Sequence, residues 1–357
     1  MSDRADRLVP LLEKAGLDLL IVNDLTNVRY LTGFSGTNGL VLVGAKSRLF
    51  ITDFRYTERA EEEVDHSFER VTAAQDLIEG LADLLPDGVR RLGFDDAHTS
   101  VKAHAKLARV LGDGRERVAA GGLVERLRAV KEPVEVERIA AAAKLADAAL
   151  QALLEGGLIG RTELEIATTL EWDMRSCGAS GASFPPIVAA GPNGALPHAT
   201  PRPVAVATGD LVVIDWGATL DGYCSDCTRT LAGGEPGGEA REVYELVLAA
   251  QQAGLEAVRA EAGGREVDAV AREVIEQGGR GERFGHGLGH GVGLAIHEAP
   301  TLSRRSEDTL ASGNVVTVEP GVYLPGSFGV RIEDLVVVEQ DGARVLTKID
   351  KQLTICD

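Results

Sequence analysis

Three stretches of this chain set a carboxylate in or at the end of an otherwise apolar, β-branched run: Leu211-Val-Val-Ile-Asp215, Asn314-Val-Val-Thr-Val-Glu319 and Val330-Arg331-Ile-Glu333. Such runs read as strands, and an acid placed there is costly unless a cation or a hydrogen-bond donor meets it. The ordinary alternatives are a strand-end aspartate that accepts backbone N–H bonds and glutamates that face solvent. A fourth acid, Asp226, follows an Asp221-Gly222 turn, so a hairpin would set Asp215 and Asp226 on neighbouring strands.

Between Phe284 and Glu298 the sequence FGHGLGHGVGLAIHE holds three of the chain's 7 histidines, His286, His290 and His297. The interleaved glycines disfavour a helix and let the backbone approach other groups closely. They argue against a helical HxxxH zinc pair; no HExxH is present, and no register fits a GxGxxG dinucleotide loop. Four carboxylates and an imidazole instead suit a pair of harder divalent ions, Mn²⁺ or Co²⁺ with Zn²⁺ as a further candidate, better than a thiolate-rich structural zinc. Their four negative charges match two divalent cations and leave the pair able to hold a hydroxide. A water bridging two metals has its pKa lowered towards neutrality, which makes a nucleophile.

Composition narrows the function classes. The formal charge of −18 repels phosphate backbones and anionic lipid surfaces, so neither nucleic acid nor membrane is an expected partner. Part of that acidic excess also fits a buried cation-binding cluster. The start MSDRADRLVP lacks an apolar h-region, and nowhere do about 18 uncharged apolar residues run together. A soluble cytoplasmic protein is the expectation. Four cysteines, Cys177, Cys224, Cys227 and Cys356, do not resemble a secreted disulfide framework. Cys224-Ser-Asp-Cys227 is formally a CxxC, but no second one exists and the segment reads as strand, so redox or zinc chemistry is set aside.

The length of 357 residues favours two domains. Residues 1–15 read as an amphipathic helix and Leu17 to Val22 as a strand, followed by Asn27-Val-Arg-Tyr-Leu-Thr-Gly-Phe-Ser-Gly-Thr-Asn-Gly39, whose Gly and Asn residues mark turns. Short strands and helices alternate to about residue 120. Pro133 suits the first turn of a helix running to about Glu155, and Thr162-Glu-Leu-Glu165 is a capping box opening another through about Ser176. Domains of 1–124 and 125–357 follow. In the second, helices near 236–261 and 266–277 alternate with strands at 186–190, 210–216, 222–230, 314–319 and 329–338, as antiparallel sheet flanked by helices. No internal repeat stands out.

Taken together, Ile214-Asp215, Ser225-Asp226-Cys-Thr-Arg-Thr, the His286 to His297 run, Val318-Glu319-Pro-Gly and Arg331-Ile-Glu333-Asp334 resemble the pita-bread metallopeptidases, family M24. Within that family the chain is similar to Xaa-Pro aminopeptidases (aminopeptidase P) and the related Xaa-Pro dipeptidases (prolidases). The motifs lie in about 125–357, and Asn27-Val-Arg-Tyr-Leu-Thr-Gly-Phe-Ser-Gly resembles the creatinase/prolidase N-terminal domain, which methionine aminopeptidases usually lack. The resemblance implies an α/β (α+β) chain, with a C-terminal pita-bread domain preceded by a smaller mixed α/β domain.

It also implies roles. Asp215 would chelate one metal, His290 and Glu319 the other, and Asp226 and Glu333 would bridge both. Glu319 would be the general base and His297 would stabilise the oxyanion. His286 and His198 would line the proline side of the scissile bond, with Arg331 and Tyr223 in support of substrate binding. Cys227 stands where the family commonly carries Met or another apolar residue; strand alternation should turn it away from the metals. Proline preference follows from the resemblance, and its logic is that an Xaa–Pro bond offers no N–H and fixes the backbone.

Two other readings compete. A creatinase-like amidinohydrolase can lack the full metal set, whereas all five ligand positions are filled here. A non-catalytic binding protein of the same fold fits poorly with intact ligands and with the charge. The resemblance favours cleavage of Xaa-Pro at peptide N-termini, with dipeptidase action as the alternative; Arg202, Arg304 and Arg305 are candidates to grip a dipeptide's carboxylate. It further implies a homodimer.

Overall fold

The computed structural model describes residues 4–356. The chain divides into two compact units, Met1–Arg128 and Ala129–Asp357.

In the first unit a mixed six-stranded sheet runs in the spatial order Glu69–Ala73, Ser47–Asp53, Gly39–Gly44, Leu19–Val22, Arg91–Phe94, Glu116–Ala119. Its central pairings are antiparallel and its outer ones parallel. Leu19, Ile21, Leu40, Leu42 and Ile51 pack with Leu107 and Leu111 of the helix Val101–Leu111 in one apolar cluster. The expected first helix spans Arg4–Lys14, and residues 1–3 of that expectation lie outside the described residues. Asn27, expected to mark a turn, lies in a helix: Asp24 caps Leu25–Thr32 by accepting from the Asn27 N–H, and Gly33 ends it at φ 87°. That aspartate cap, worth about 1 kcal/mol, outweighs the turn propensity of Asn27.

The second unit repeats one order of elements. Helices Pro133–Glu155 and Glu163–Ser176 precede a four-stranded sheet ordered Ile355–Cys356, Cys227–Gly233, Leu211–Trp216, Ile187–Ala190; helices Gly238–Ala257 and Gly264–Gln277 precede a five-stranded sheet ordered Glu298–Leu302, Gly289–Gly291, Val315–Val318, Asp334–Glu339, Gly342–Val345. Each sheet buries apolar side chains against its own helix pair: Val188, Val212 and Ile214 pack with Leu150 and Leu170 in one cluster, and Val316, Val318 and Val336 with Val247 and Ala271 in the other. This is the pita-bread arrangement the sequence resemblance implies. Both predicted helix starts form, with Pro133 in the first turn and reciprocal bonds between Thr162 and Glu165.

Two expected strands are broken, and both breaks matter to the site. The segment expected as a strand over 222–230 splits at Ser225-Asp226, because Tyr223–Cys224 pairs with Ala218–Leu220 while Cys227–Gly233 pairs with Leu211–Trp216. The segment expected over 329–338 splits at Ile332-Glu333: Phe328–Arg331 pairs with Gly321–Leu324, and Asp334–Glu339 with Val315–Val318. In each case the chain leaves one sheet for another at an acidic residue.

Candidate active site

Three of the four predicted carboxylates stand where a strand stops. Asp226 and Glu333 occupy the two sheet-to-sheet breaks, and Glu319 follows the end of Val315–Val318 with its N–H donating to Leu288 O at 2.8 Å. Asp215 lies inside Leu211–Trp216, opposite Thr228. Ligand oxygens of Asp215, Asp226 and Glu333 lie within 4.8 Å of one another. His290 joins them on the short strand Gly289–Gly291, its Nε2 3.6 Å from Asp226 Oδ2 and 3.4 Å from Glu319 Oε1. This strand is wedged between two others: a Cβ at Gly289 would meet Thr317 O at 2.0 Å, and one at Gly291 would meet Ala299 O at 2.3 Å. Close approach is therefore what those two glycines supply.

The segment before it is clamped from behind. Arg272 and Asp268, on the helix Gly264–Gln277, form a buried pair; Arg272 donates to Phe284 O and His286 O, both at 2.8 Å, and Asp268 accepts from the Leu288 N–H at 3.0 Å. This pair fixes the backbone that carries His286.

The protonation pattern suits cation binding. Burial, then the neighbouring carboxylates, push Asp226 and Glu333 well above the usual carboxylate range, and burial raises Glu319. Such crowding needs positive charge if these acids are to ionise. Asp215 Oδ1 and Glu333 Oε1 are buried and have no hydrogen-bond partner, although each side chain's other oxygen is bonded: Asp215 Oδ2 by Arg331 at 2.7 Å and Glu333 Oε2 by Thr228 Oγ1 at 2.6 Å. Burial lowers the pKa of His290 and holds it neutral, and its Nδ1 lies 3.1 Å from Gly291 O. An Nδ1–H donated to that carbonyl leaves the Nε2 lone pair facing the acids, the usual second-sphere device at metal-ligating histidines. Orphaned carboxylate oxygens beside a neutral imidazole of fixed orientation fit a divalent metal pair held by Asp215, Asp226, His290, Glu319 and Glu333.

A network that sequence reasoning missed ties these groups together. Arg331 donates from Nη2 to Asp215, from Nη1 to Tyr323 Oη at 2.9 Å and Pro197 O at 3.1 Å, and from Nε to Thr228 Oγ1 at 3.1 Å. Tyr323 Oη in turn lies 2.9 Å from His286 Nε2, and His286 Nδ1 is 2.8 Å from Gly287 O. Thr317 Oγ1 accepts from the His290 N–H at 3.1 Å and donates to Glu319 Oε1 at 3.2 Å. Tyr323, Thr228 and Thr317 give no signal in the sequence, since a hydroxyl on an apolar strand is read as core or surface until its neighbours are known.

Asp215, Asp226, His290, Glu319 and Glu333 line one cleft of about 460 Å³, together with His198, His286, His297 and Arg331. Phe184, Pro185, Ile187 and Pro197 give it an apolar wall. The His297 ring packs edge-on to His290 with centroids 4.3 Å apart; its pKa is lowered by burial and by His290 and His198. Tyr223 stands apart from this lining: its hydroxyl donates to Glu135 at 2.9 Å, among Val136, Ile139 and Ala143. Arg304 and Arg305 line a second, larger cleft of about 1160 Å³ that shares His286 and Gly287 with the first, whereas Arg202 is paired with Glu163. No disulfide joins the four cysteines, and Cys227 packs beside Trp216 in the apolar cluster behind the sheet.

Comparison with known proteins covers both units of the chain. Residues 137–340 match the model of metallopeptidase family M24, and residues 4–130 match the creatinase/prolidase N-terminal domain. The chain is 35% identical over 361 residues to an Xaa-Pro dipeptidase of Pyrococcus furiosus, covering 99% of this chain and 100% of that one. Among solved structures it is similar to an Xaa-Pro dipeptidase from Bacillus anthracis (41% identity, TM-score 0.95, 99% of each chain). It is also similar to an X-Pro aminopeptidase from Thermotoga maritima MSB8 (37% identity, TM-score 0.91, 99% of this chain and 100% of that one). With both domain types matched and relatives spanning nearly the whole chain, this protein belongs to metallopeptidase family M24.

Proposed function

We propose that this enzyme hydrolyses the peptide bond between an N-terminal residue and a following proline, with Asp215, Asp226, His290, Glu319 and Glu333 holding two divalent ions. The observation that carries this reading is the pair of orphaned carboxylate oxygens, Asp215 Oδ1 and Glu333 Oε1, among the predicted ligands in one cleft. The ions would supply an acidified water and a Lewis acid for the scissile carbonyl.

The chain's own residues supply the rest. Glu319, its pKa raised by burial, is suited to take a proton from the nucleophile and pass it to the leaving nitrogen. His297 and His198 face the same cleft and would donate to the developing oxyanion or to substrate carbonyls. Phe184, Pro185 and Pro197 offer a rigid apolar lining for the proline ring in the cleft that His286 also lines. Arg331 holds Asp215 and Tyr323 in place and leaves substrate contact to the histidines.

On substrate length, the larger cleft beyond His286 has room for residues after proline, which supports aminopeptidase action. The same cleft carries Arg283, Arg304 and Arg305, cations able to grip the carboxylate of an Xaa-Pro dipeptide, and relatives of both names exist. These arginines favour dipeptides as the second reading. The deciding experiment is release of the first residue from matched Xaa-Pro and Xaa-Pro-Yaa peptides by metal-stripped enzyme, with and without Mn²⁺ or Co²⁺. Metal-dependent cleavage of the tripeptide supports the aminopeptidase, cleavage confined to the dipeptide supports the prolidase, and no cleavage of either sinks the proposal. Mn²⁺ or Co²⁺ as the resident ions and a homodimeric state belong to the same proposal; metal analysis of the purified protein and light scattering measure them.

A further inference from the structure

Asp95, in the loop after the strand Arg91–Phe94, is 5% exposed, and its Oδ1 has no hydrogen-bond partner. Its Oδ2 receives one bond of 3.2 Å from Asn27 Nδ2, and the same nitrogen donates to Glu125 Oε1 at 2.6 Å. Asn27 cannot turn the other way, because its Oδ1 accepts from Arg128 Nη1 at 2.9 Å. One amide nitrogen therefore serves two carboxylates.

The His98 ring sits between two acids of the same unit, Nε2 3.8 Å from Glu125 Oε1 and Nδ1 3.7 Å from Asp24 Oδ1. Ligand atoms of Asp95, His98 and Glu125 lie within 4.8 Å of one another. An ion about 2.0–2.4 Å from each donor fits that spacing. Burial, with Glu125 next, pushes the Asp95 carboxyl above its ordinary range. A buried acceptor left without a donor costs about 1–3 kcal/mol, which a bound cation would offset.

We propose that Asp95, His98 and Glu125, with Asp24 at the edge, form a divalent-cation site in the N-terminal unit, separate from the catalytic ligands. Carboxylates joined by a single imidazole favour a borderline ion such as Zn²⁺ or Co²⁺ over Ca²⁺. The site ties together the start of the helix Leu25–Thr32, the loop after Arg91–Phe94 and the helix Leu123–Ala129. Its occupation would stabilise that unit and take no part in peptide hydrolysis. The competing account is that the His98 ring, lying between Asp24 and Glu125, is the partner of these acids without any ion.

The test is Zn²⁺ stoichiometry of the full-length protein after metal stripping, reloading and gel filtration. It is measured with and without His98→Ala, and in parallel with and without Glu125→Gln. Each substitution is expected to remove one equivalent, both from the wild type and from an Asp226→Asn/Glu333→Gln background whose catalytic ligands are disabled. Both replaced side chains are partly exposed, and circular dichroism checks that the variants fold. In the Asp226→Asn/Glu333→Gln background, Zn²⁺ should raise the melting temperature more than it does after His98→Ala is added. Equal stoichiometry with and without His98→Ala and Glu125→Gln would overturn the site and leave the His98 ring as the partner of these acids without any ion.

Discussion

Arg331 Nη2 lies 2.7 Å from Asp215 Oδ2, so one oxygen of this acid is spent on the protein and the other is left for a cation. The guanidinium reaches Tyr323 and Thr228 from the same plane, which a point-charge ammonium cannot do. Arg331→Lys should therefore weaken metal binding by about 10- to 100-fold, the usual cost of losing an outer-shell partner. The check is the metal concentration that half-restores activity to stripped enzyme, and an unchanged value would refute this role.

Tyr323 passes the influence of Arg331 to His286 through a hydroxyl 2.9 Å from each. Tyr323→Phe removes that link and keeps the ring. A fall of about tenfold in kcat/KM is expected, equivalent to one hydrogen bond of about 1.4 kcal/mol, with metal affinity nearly unchanged. Steady-state kinetics with metal titration separates the two effects.

Asp226, Glu319 and Glu333 have folded-state pKa values above those of exposed acids. Groups shifted upward favour folding at low pH and lose that contribution as pH rises through the folded value, so metal-free protein should lose stability from acid towards neutral pH. Bound cations remove the repulsion and should restore it, by about 2.7 kcal/mol at a hundredfold excess over Kd. Thermal unfolding with and without chelator at pH 8 should show this in the wild type and much less in Asp226→Asn.

Asp147 provides a control away from the cleft. Its Oδ2 accepts from the Lys348 N–H at 2.6 Å, its Oδ1 is buried without a partner, and burial raises its pKa to about 6. The folded value lies above the unfolded one, so its favourable contribution is complete below about pH 4 and is lost as pH rises through about 6. Asp147→Asn keeps the acceptor without the charge. Relative to wild type it should gain about 2 kcal/mol between pH 4 and pH 8 by denaturant unfolding.

No disulfide joins the four cysteines. A thiol count on the unfolded protein should therefore give the same value before and after reduction, and two thiols missing before reduction would mean that Cys224 and Cys227 distort the hairpin carrying Asp226.

The residues that gather in the cleft were legible in the sequence because a carboxylate closing an apolar run, or a histidine between glycines, conflicts with ordinary strand chemistry within a few residues. Local rules likewise place the helix starting at Pro133 and the Asp221-Gly222 turn, where both residues have positive φ. Tertiary structure decided what depends on partners far along the chain. Strand alternation fixes only which face a side chain takes, so nothing near Tyr323 reveals that it meets Arg331 and His286, and nothing near Tyr223 that it turns to Glu135 instead of the cleft. The breaks at Asp226 and Glu333 arise because two sheets compete for one segment, a conflict invisible until both sheets exist. Which carboxylate oxygen is left for a cation is decided the same way: Arg331 and Thr228 claim one oxygen each of Asp215 and Glu333 only after the chain has folded.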